Sequence, residues 1–430
     1  MSDNKAKVVT FGCRLNTYES EIIKGHAEKA ALSDAVIFNT CAVTAEATRQ
    51  AKQSIRRAKR NNPDTRVIVT GCAAQIDPAQ FSSMDEVDLV LGNEEKLTAK
   101  SYNDFGISRS ERVAVNDIMS VKETAPQLID GFEQRSRAFV QVQNGCDHRC
   151  TFCIIPYGRG NSRSVPAGEV VSQIQKLVEN GYNEVIITGV DITSYGPDLP
   201  GNPTLGTLCQ KILKNVPDLK RLRLSSIDSI ETDEALFDII TNDKRMMPHL
   251  HLSLQAGDNM ILKRMKRRHS REDSIEFCNA VLKARPDVVF GADIITGFPT
   301  ETEEMFQNSL KLVEDCNLTY LHVFPYSERE GTPAARMPQM DRSIRKERGA
   351  RLRALGEEKV DKLLRDTIGK EVSILIEKMA KDQNAAIGHT EHFAPAKIMG
   401  DHPIGNIAKA VVTGYQDGIL ITEALPEKRV

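Results

Sequence analysis

The chain has 430 residues, and its 57 lysines and arginines against 59 aspartates and glutamates leave a formal net charge of −2. No overall cationic field points to nucleic acid, so any such role rests on local basic clusters. With 40% hydrophobic and 27% charged residues, global disorder is excluded and the length implies two or three domains.

Met1-Ser2-Asp3-Asn4-Lys5 has no apolar region of the kind a signal peptide needs. No apolar run approaches the roughly 20 residues that span a bilayer. The expected setting is the reducing cytoplasm, where the nine cysteines read as metal ligands or catalysts rather than disulfides. The next hundred residues or so alternate strand and helix. Strands are predicted at Val8–Gly12, Ala35–Asn39, Arg66–Gly71 and Asp88–Gly92. Helices are predicted at Thr17–Ala30, capped by Asn16 or Thr17, and at Thr44–Arg60. Near-continuous apolar strands between helices indicate a parallel sheet covered on both faces. Cys13, Cys41 and Cys72 each fall just past a predicted strand, where ligands bind in open α/β sheets. The inference is a three-thiolate metal site one ligand short, against the alternative of three buried core thiols. Asn16 either caps the first helix or contacts that site, and capping is the expectation.

Residues 104–137 read as an edge element and a linker, with Pro126 and Gly131 as breakers. Ala138–Val142 alternates as a strand and delivers Asn144-Gly145-Cys146-Asp147-His148-Arg149-Cys150-Thr151-Phe152-Cys153. These three cysteines are spaced Cys-x3-Cys-x2-Cys. A structural zinc would want a fourth ligand to close a tetrahedron, and beyond His148, within the run, none is evident. A four-iron cluster takes cysteine thiolates. Held by Cys146, Cys150 and Cys153 alone, it keeps one iron open for a small molecule; the spacing, with Phe152 just before the last cysteine, resembles the signature of the radical S-adenosylmethionine enzymes, which implies that this iron chelates the amino and carboxylate groups of S-adenosylmethionine. A zinc knuckle or chance clustering is the alternative.

Beyond the cysteines the alternation resumes. A helix begins near Pro166, with Val170, Val171, Ile174, Leu177 and Val178 on one face. Strands are predicted at Glu184–Gly189, Arg221–Ser225, His249–Leu254, Val288–Ile295 and Tyr320–Phe324. With the strand before the cysteines this makes six βα units, a partial barrel with a lateral gap that suits a large substrate. Barrel chemistry gathers at the carboxyl ends of strands. Gly189, Asp191, Ser225, Gln255, Asp293 and Ile295, with Phe152, are therefore candidate contacts for S-adenosylmethionine, or else parts of ordinary βα turns. Arg159 and Arg163 could hold a phosphate or carboxylate of the substrate, or be solvated charges. Cys209, Cys278 and Cys316 read as core thiols. Ser343–Asp366 is predicted as a charged connecting helix. Its Arg345, Lys346, Arg348, Arg351 and Arg353, and the separate run from Lys263 to Arg271, form two basic patches that suit a solvated face or RNA. The tail, Ile368–Val430, carries strands at Glu371–Glu377, Phe393–Met399, Asn406–Tyr415 and Gly418–Thr422. A small OB-like β-barrel fits, with Phe393 and Tyr415 as stacking candidates or core residues.

Taken together, the stretches Gly12-Cys13-Arg14-Leu15-Asn16-Thr17-Tyr18-Glu19-Ser20, Asn39-Thr40-Cys41-Ala42-Val43-Thr44, Thr70-Gly71-Cys72-Ala73 and Cys150-Thr151-Phe152-Cys153-Ile154-Ile155-Pro156-Tyr157-Gly158-Arg159-Gly160 resemble the radical S-adenosylmethionine methylthiotransferases. The resemblance covers the whole chain and lies closest to the tRNA threonylcarbamoyladenosine branch. It implies an α/β fold in five parts: a cluster domain over 1–103, a linker over 104–135, a partial (β/α)6 radical core over 136–342, a connecting helix over 343–366 and a TRAM-like β-barrel over 367–430. It further implies two [4Fe–4S] clusters, on Cys146, Cys150 and Cys153 and on Cys13, Cys41 and Cys72. S-adenosylmethionine would be both radical source and methyl donor. The implied partners are the tRNA anticodon loop and an electron donor such as flavodoxin or ferredoxin, with no membrane, for a monomer. The implied reaction is methylthiolation at C2 of the threonylcarbamoyl-bearing adenosine beside the anticodon. The alternatives are methylthiolation of isopentenyladenosine or of a ribosomal-protein aspartate, or a non-catalytic iron–sulfur or zinc RNA-binding protein. Departures from the family pattern are Asp191 where Asn is expected, Asp228 where Glu is expected and Asn161 where a basic residue is expected.

Overall fold

A computed structural model describes residues 5–103, 111–122, 129, 131–132, 136–381 and 384–426. The amino-terminal strands β1 (Lys7–Thr10), β2 (Ala35–Thr40), β3 (Arg66–Gly71), β4 (Leu89–Leu91) and β5 (Val113–Ala114) form one sheet in chain order. Every neighbouring pair is parallel. The apolar runs explain the sheet: Ile37, Val67, Ile68, Val69 and Val90 are fully buried between the covering helices. Strand β5 supplies the expected edge element, while much of the linker predicted over 104–135 lies outside the described residues.

The first helix corrects one expectation. It spans Arg14–Lys29 with Cys13 at the cap position and no side-chain cap, so Asn16 sits inside the first turn and caps nothing. Its buried amide nitrogen donates instead to the carbonyls of Phe11 at 2.7 Å and Thr40 at 3.0 Å. It thereby ties together the chain ends that carry Cys13 and Cys41. The second helix, Ala45–Asn61, is capped as its sequence suggests, Thr44 Oγ1 accepting from the Ala47 amide at 3.2 Å.

The core holds β6 (Ala138–Gln141), a two-stranded ribbon of β7 (Gln143–Asn144) and β8 (Arg163–Ser164), then β9 (Glu184–Thr188), β10 (Arg221–Leu224), β11 (His249–Gln255), β12 (Val289–Thr296) and β13 (Leu318–Pro325). Two parallel three-stranded sheets, β10-β9-β6 and β11-β12-β13, are joined by bridges at Leu222–Met246 and Ile227–Leu252. Six strands thus curve in chain order with β6 and β13 at the free edges. Tyr18 and Ile22 of the first helix enter the barrel core beside Phe139, seating the cluster domain against β6. Cys209, Cys278 and Cys316 are wholly buried in that core.

At the amino-terminal end of the barrel, buried Glu184 accepts from Arg137 at 2.9 Å and Arg221 at 3.3 Å and forms an ion pair with Arg223 at 3.0 Å. Two of these arginines also reach the tail, Arg221 donating to Ser373 Oγ at 2.8 Å and Arg223 to the Thr390 carbonyl at 3.0 Å. The tail is a closed five-stranded barrel of β14 (Glu371–Met379), β15 (Ala385–Thr390), β16 (Pro395–Met399), β17 (Ile407–Gln416) and β18 (Ile419–Ala424). The sequence reading lacked β15. Its Ala-Ala-Ile-Gly-His-Thr holds one strongly β-favouring apolar residue, and its pairing to β14 and β16 decides its conformation. The two stacking candidates are not open platforms. Phe393 stacks on His249 and His389, with the Arg137 and Arg223 guanidinium groups each 5.1 Å from its ring. Tyr415 donates its hydroxyl to Asp361 at 2.6 Å and accepts from Arg365 at 2.9 Å.

The connecting helix, Arg342–Asp366, packs on β13. Its basic face is largely engaged internally. Arg348 pairs with Glu301 at 2.7 Å, Arg351 with Glu303 at 2.9 Å, and both stack over Phe306. Arg345 donates to the carbonyls of Met340 and Tyr326. Arginine stems bury well on aromatic and aliphatic surface, which a charge count does not reveal.

Candidate active site

The three cysteines of the cluster domain meet at the carboxyl edge of its sheet. Cys13 precedes the first helix, Cys41 follows β2, and Cys72 opens the short helix Cys72–Ile76 after β3. Two glycines make the approach possible. Gly12 has φ +91°, and a Cβ there would meet Cys41 Sγ at 2.7 Å; Gly71 has φ +95°, and its Cβ would meet the Thr40 carbonyl at 2.3 Å. Burial, with the nearby Cys72 sulfur, pushes the Cys41 thiol up to about 11.

Below this trio lies a buried charge network. Arg159 Nε is 3.1 Å from Cys72 Sγ, its guanidinium pairs with Glu19, and Lys96 Nζ reaches the same carboxylate at 2.6 Å. All three side chains are at most 2% exposed. Burial opposes ionisation of Glu19, yet Arg159 and Lys96 hold its carboxyl below the usual range. Burial lowers the Lys96 ammonium. Burial also opposes the Arg159 charge, but the Cys72 sulfur and Glu19 outweigh it and raise the group well above its ordinary value. The carboxylate that Arg159 holds is therefore internal, and it is buried away from solvent. Arg163, also buried, donates to the carbonyls of Arg159 at 3.0 Å and Asn161 at 2.9 Å.

The second trio lies on the loop between β7 and the helix Ile155–Arg159. The Cys146 amide donates to the Gly160 carbonyl and the Cys153 amide to that of Cys150, both at 3.1 Å. Cys146 Sγ is 3.7 Å from Asp191, whose carboxylate also takes His148 Nε2 at 2.9 Å and Ser194 Oγ at 3.0 Å. Burial and the Asp191 charge push the Cys146 thiol up, and burial takes Cys153 to about 11. Cys150 Sγ is 3.8 Å from Arg267, which is held by Asp228 at 2.6 Å and the Ser253 carbonyl at 2.8 Å. Phe152 joins an apolar patch containing Ile295, Phe298 and Tyr326. Gly189 passes close to the Gln143 carbonyl, Ser225 continues β10 by donating to the Ile187 carbonyl, and Gln255 takes φ +69° where the β11 register shifts. Asp293 differs from the others: it faces His251 Nε2 at 2.9 Å and His322 Nδ1 at 3.2 Å, inside the barrel.

The two trios share a wall. Ile154, next to Cys153, packs into the cluster-domain core. A Cβ on Gly158 would lie 3.2 Å from Cys72 Cβ. Sequence reading missed Glu19, Lys96 and Asn93, whose amide nitrogen lies 3.8 Å from Cys72 Sγ, since charged and amide residues default to solvent. It also counted Arg267 only as part of a basic run. The Tyr18-Glu19 pair next to the first cysteine was the available signal for Glu19.

The donor sets can be tested for fit. Each donor set is three thiolates, Cys13, Cys41 and Cys72 or Cys146, Cys150 and Cys153, and all-thiolate donors suit iron–sulfur clusters. Arg267, beside Cys150, keeps its Nε buried without a hydrogen-bond partner among the described residues. A polar ligand seated there would satisfy it.

Residues 140–313 match the radical SAM superfamily, and residues 5–92 match the uncharacterized protein family UPF0004. The Threonylcarbamoyladenosine tRNA methylthiotransferase MtaB of Rickettsia prowazekii (strain Madrid E) is 55% identical over 97% of this chain and 96% of its own length. The chain belongs to the radical S-adenosylmethionine tRNA methylthiotransferases. An Aquifex aeolicus (strain VF5) methylthiotransferase of the same name is 34% identical over 95% of this chain and 100% of its own. The radical S-adenosylmethionine methyltransferase TsrM of Kitasatospora setae shares the fold, with a TM-score of 0.56 at 15% identity, covering 77% of this chain and 75% of that one. Membership among radical S-adenosylmethionine methylthiotransferases brings a [4Fe–4S] cluster, S-adenosylmethionine and a tRNA substrate. Among the described residues no helix is long and apolar enough to cross a membrane.

Proposed function

We propose that this methylthiotransferase places a methylthio group on C2 of the threonylcarbamoyl-bearing adenosine beside the tRNA anticodon. The substrate named for the 55% identical relative supports the choice. In this reading Cys146, Cys150 and Cys153 hold the radical cluster, and Cys13, Cys41 and Cys72 hold a second one. S-adenosylmethionine would be bordered by Phe152, Gly189, Asp191, Ser225, Gln255 and Ile295. These groups, when bound, supply the radical that opens an inert aromatic C–H and the sulfur and methyl that replace its hydrogen.

The chain's own residues prepare the site. Asp228 fixes Arg267 so that a cation faces Cys150. Asp191 holds His148 beside Cys146. Glu19 and Lys96 anchor Arg159 against Cys72. The observation that carries the proposal is the shared wall: the helix Ile155–Arg159 follows one trio directly and packs on the helix that begins with Cys72. Two metal groups held on opposite sides of one short helix can act on one base, and an unpaired anticodon-loop base can be splayed out to meet them. The free cysteines, all nine unpaired to one another, support a reducing cytoplasm, where a flavodoxin- or ferredoxin-type donor would provide the electron.

Mass spectrometry of tRNA nucleosides from a deletion strain tests the proposal. The methylthio form of threonylcarbamoyladenosine should vanish and return on complementation. Its persistence, with the methylthio form of isopentenyladenosine lost instead, would overturn the substrate assignment.

A further inference from the structure

We propose that His251, Asp293 and His322, inside the partial barrel, form a binding site for one divalent first-row transition-metal ion, with donors separate from both cysteine trios. Two imidazoles and one carboxylate make a nitrogen and oxygen donor set that suits zinc(II) and ions of its class. The site stands whichever nucleoside the enzyme modifies.

Strand register brings the three together. His251 on β11 pairs with Gly291 on β12, and Asp293, two residues further along β12, pairs with His322 on β13. Residues two apart on a strand share a face, so all three side chains project from one face of the sheet. A Cβ on Gly291 would lie 2.6 Å from His251 Nδ1. The glycine therefore leaves room for the imidazole, whose other nitrogen, Nε2, faces Asp293.

The donors converge on one point. His251 Nε2 lies 2.9 Å and His322 Nδ1 3.2 Å from the same Asp293 oxygen. The two ring centroids are 4.3 Å apart, and one donor atom of each residue lies within 4.8 Å of the other two. Metal–ligand bonds of about 2.0–2.2 Å set neighbouring donors about 2.9 Å apart at right angles and about 3.4 Å apart in a tetrahedron. The two distances to Asp293 fall in that interval. Among the described residues no lysine or arginine forms an ion pair with this carboxylate; its partners are the two imidazoles. Exposure rises from 9% at His251 through 22% at Asp293 to 59% at His322. The donors are thus supported on the β11 side and reachable by an ion from the free β13 edge. Three protein donors leave a coordination position for water.

The test uses anaerobically prepared holoenzyme, its iron–sulfur clusters loaded, dialysed against zinc(II) alone. Elemental analysis should find about one zinc per chain beside the iron, and zinc-edge X-ray absorption should show nitrogen and oxygen at about 2.0–2.1 Å without sulfur at about 2.3 Å. Asp293→Asn keeps an oxygen that can accept from both rings, and His322→Ala removes an exposed side chain, so both variants should fold and keep their iron. Each should weaken zinc binding by at least about 10-fold. Wild-type enzyme that retains no zinc overturns the proposal. A sulfur shell at about 2.3 Å also overturns it, because the zinc would then sit on cysteines. So does equal zinc in wild type and His322→Ala, the comparison that decides if Asp293→Asn fails to fold. No readout involves RNA, so failure here leaves the substrate reading untouched.

Discussion

Arg159 Nε lies 3.1 Å from the sulfur of Cys72, across 87 residues of sequence. The contact joins the loop that carries one cysteine trio to a member of the other, and Glu19 and Lys96 fix the arginine from below. Removing the guanidinium leaves a buried carboxylate with one partner fewer and a sulfur with none of this compensation. Arg159→Ala should cost about 3–5 kcal/mol of stability, the range for breaking a buried pair. Iron in anaerobically purified protein should fall from roughly eight per chain toward four. Chemical unfolding and iron analysis check the two halves.

The proposed division of labour separates two cysteine variants. Cys150→Ala should abolish 5′-deoxyadenosine release. Cys41→Ala should retain that release while losing sulfur insertion. Chromatography of the small-molecule products beside mass spectrometry of the RNA reads both. Full methylthio product from Cys41→Ala would refute the assignment of sulfur donation to the Cys13, Cys41 and Cys72 site.

Glu184 predicts an acid response. Burial opposes its charge, but Arg223, Arg137 and Arg221 hold its carboxyl at about 2, below the ordinary 4.5. A depressed carboxyl stabilises the fold above its unfolded value, and that contribution disappears as pH falls from about 4.5 through about 2. Glu184→Gln should lose about 3–5 kcal/mol at neutral pH and show a flatter stability profile across that acid window. Urea melts at stepped pH measure both; an acid limb identical to that of wild type would refute the role.

Gly71 sits where β3 hands over to Cys72. Gly71→Ala must hold φ near +95° and place a Cβ within 2.4 Å of both the nitrogen and the oxygen of Thr40. The backbone conformation alone costs about 1–2 kcal/mol, and the clash displaces the segment that leads into Cys41. The metal-free protein should melt at a lower temperature, and iron retention should fall at the cluster-domain site in particular.

How far these features were legible depended on what type of residue carried them. Cys13, Cys41 and Cys72 announced themselves because each follows an apolar run, and parallel strands end together at one edge. The six barrel strands were readable for the same reason. Asn16 was misread because a helix start is uncertain by a residue or two, and a shift of that size moved it from cap to buried brace. Glu19, Lys96 and Arg159 were invisible as a set. Each is charged, each looks solvated in isolation, and only tertiary contact between distant segments reveals the network. Phe393 was recognised as notable, but its neighbours His249, Arg137 and Arg223 come from another part of the chain.

That wedge of Phe393 has a practical corollary for anyone dissecting the molecule by truncation. The β-barrel tail is a footing as well as an appendage, since Arg221 and Arg223 donate into it. Cutting it away would strip partners from a guanidinium cluster gathered on one glutamate. An inactive truncate would thus report foundations undermined as readily as a lost grip on RNA, and point changes on the outer strands are the cleaner probe.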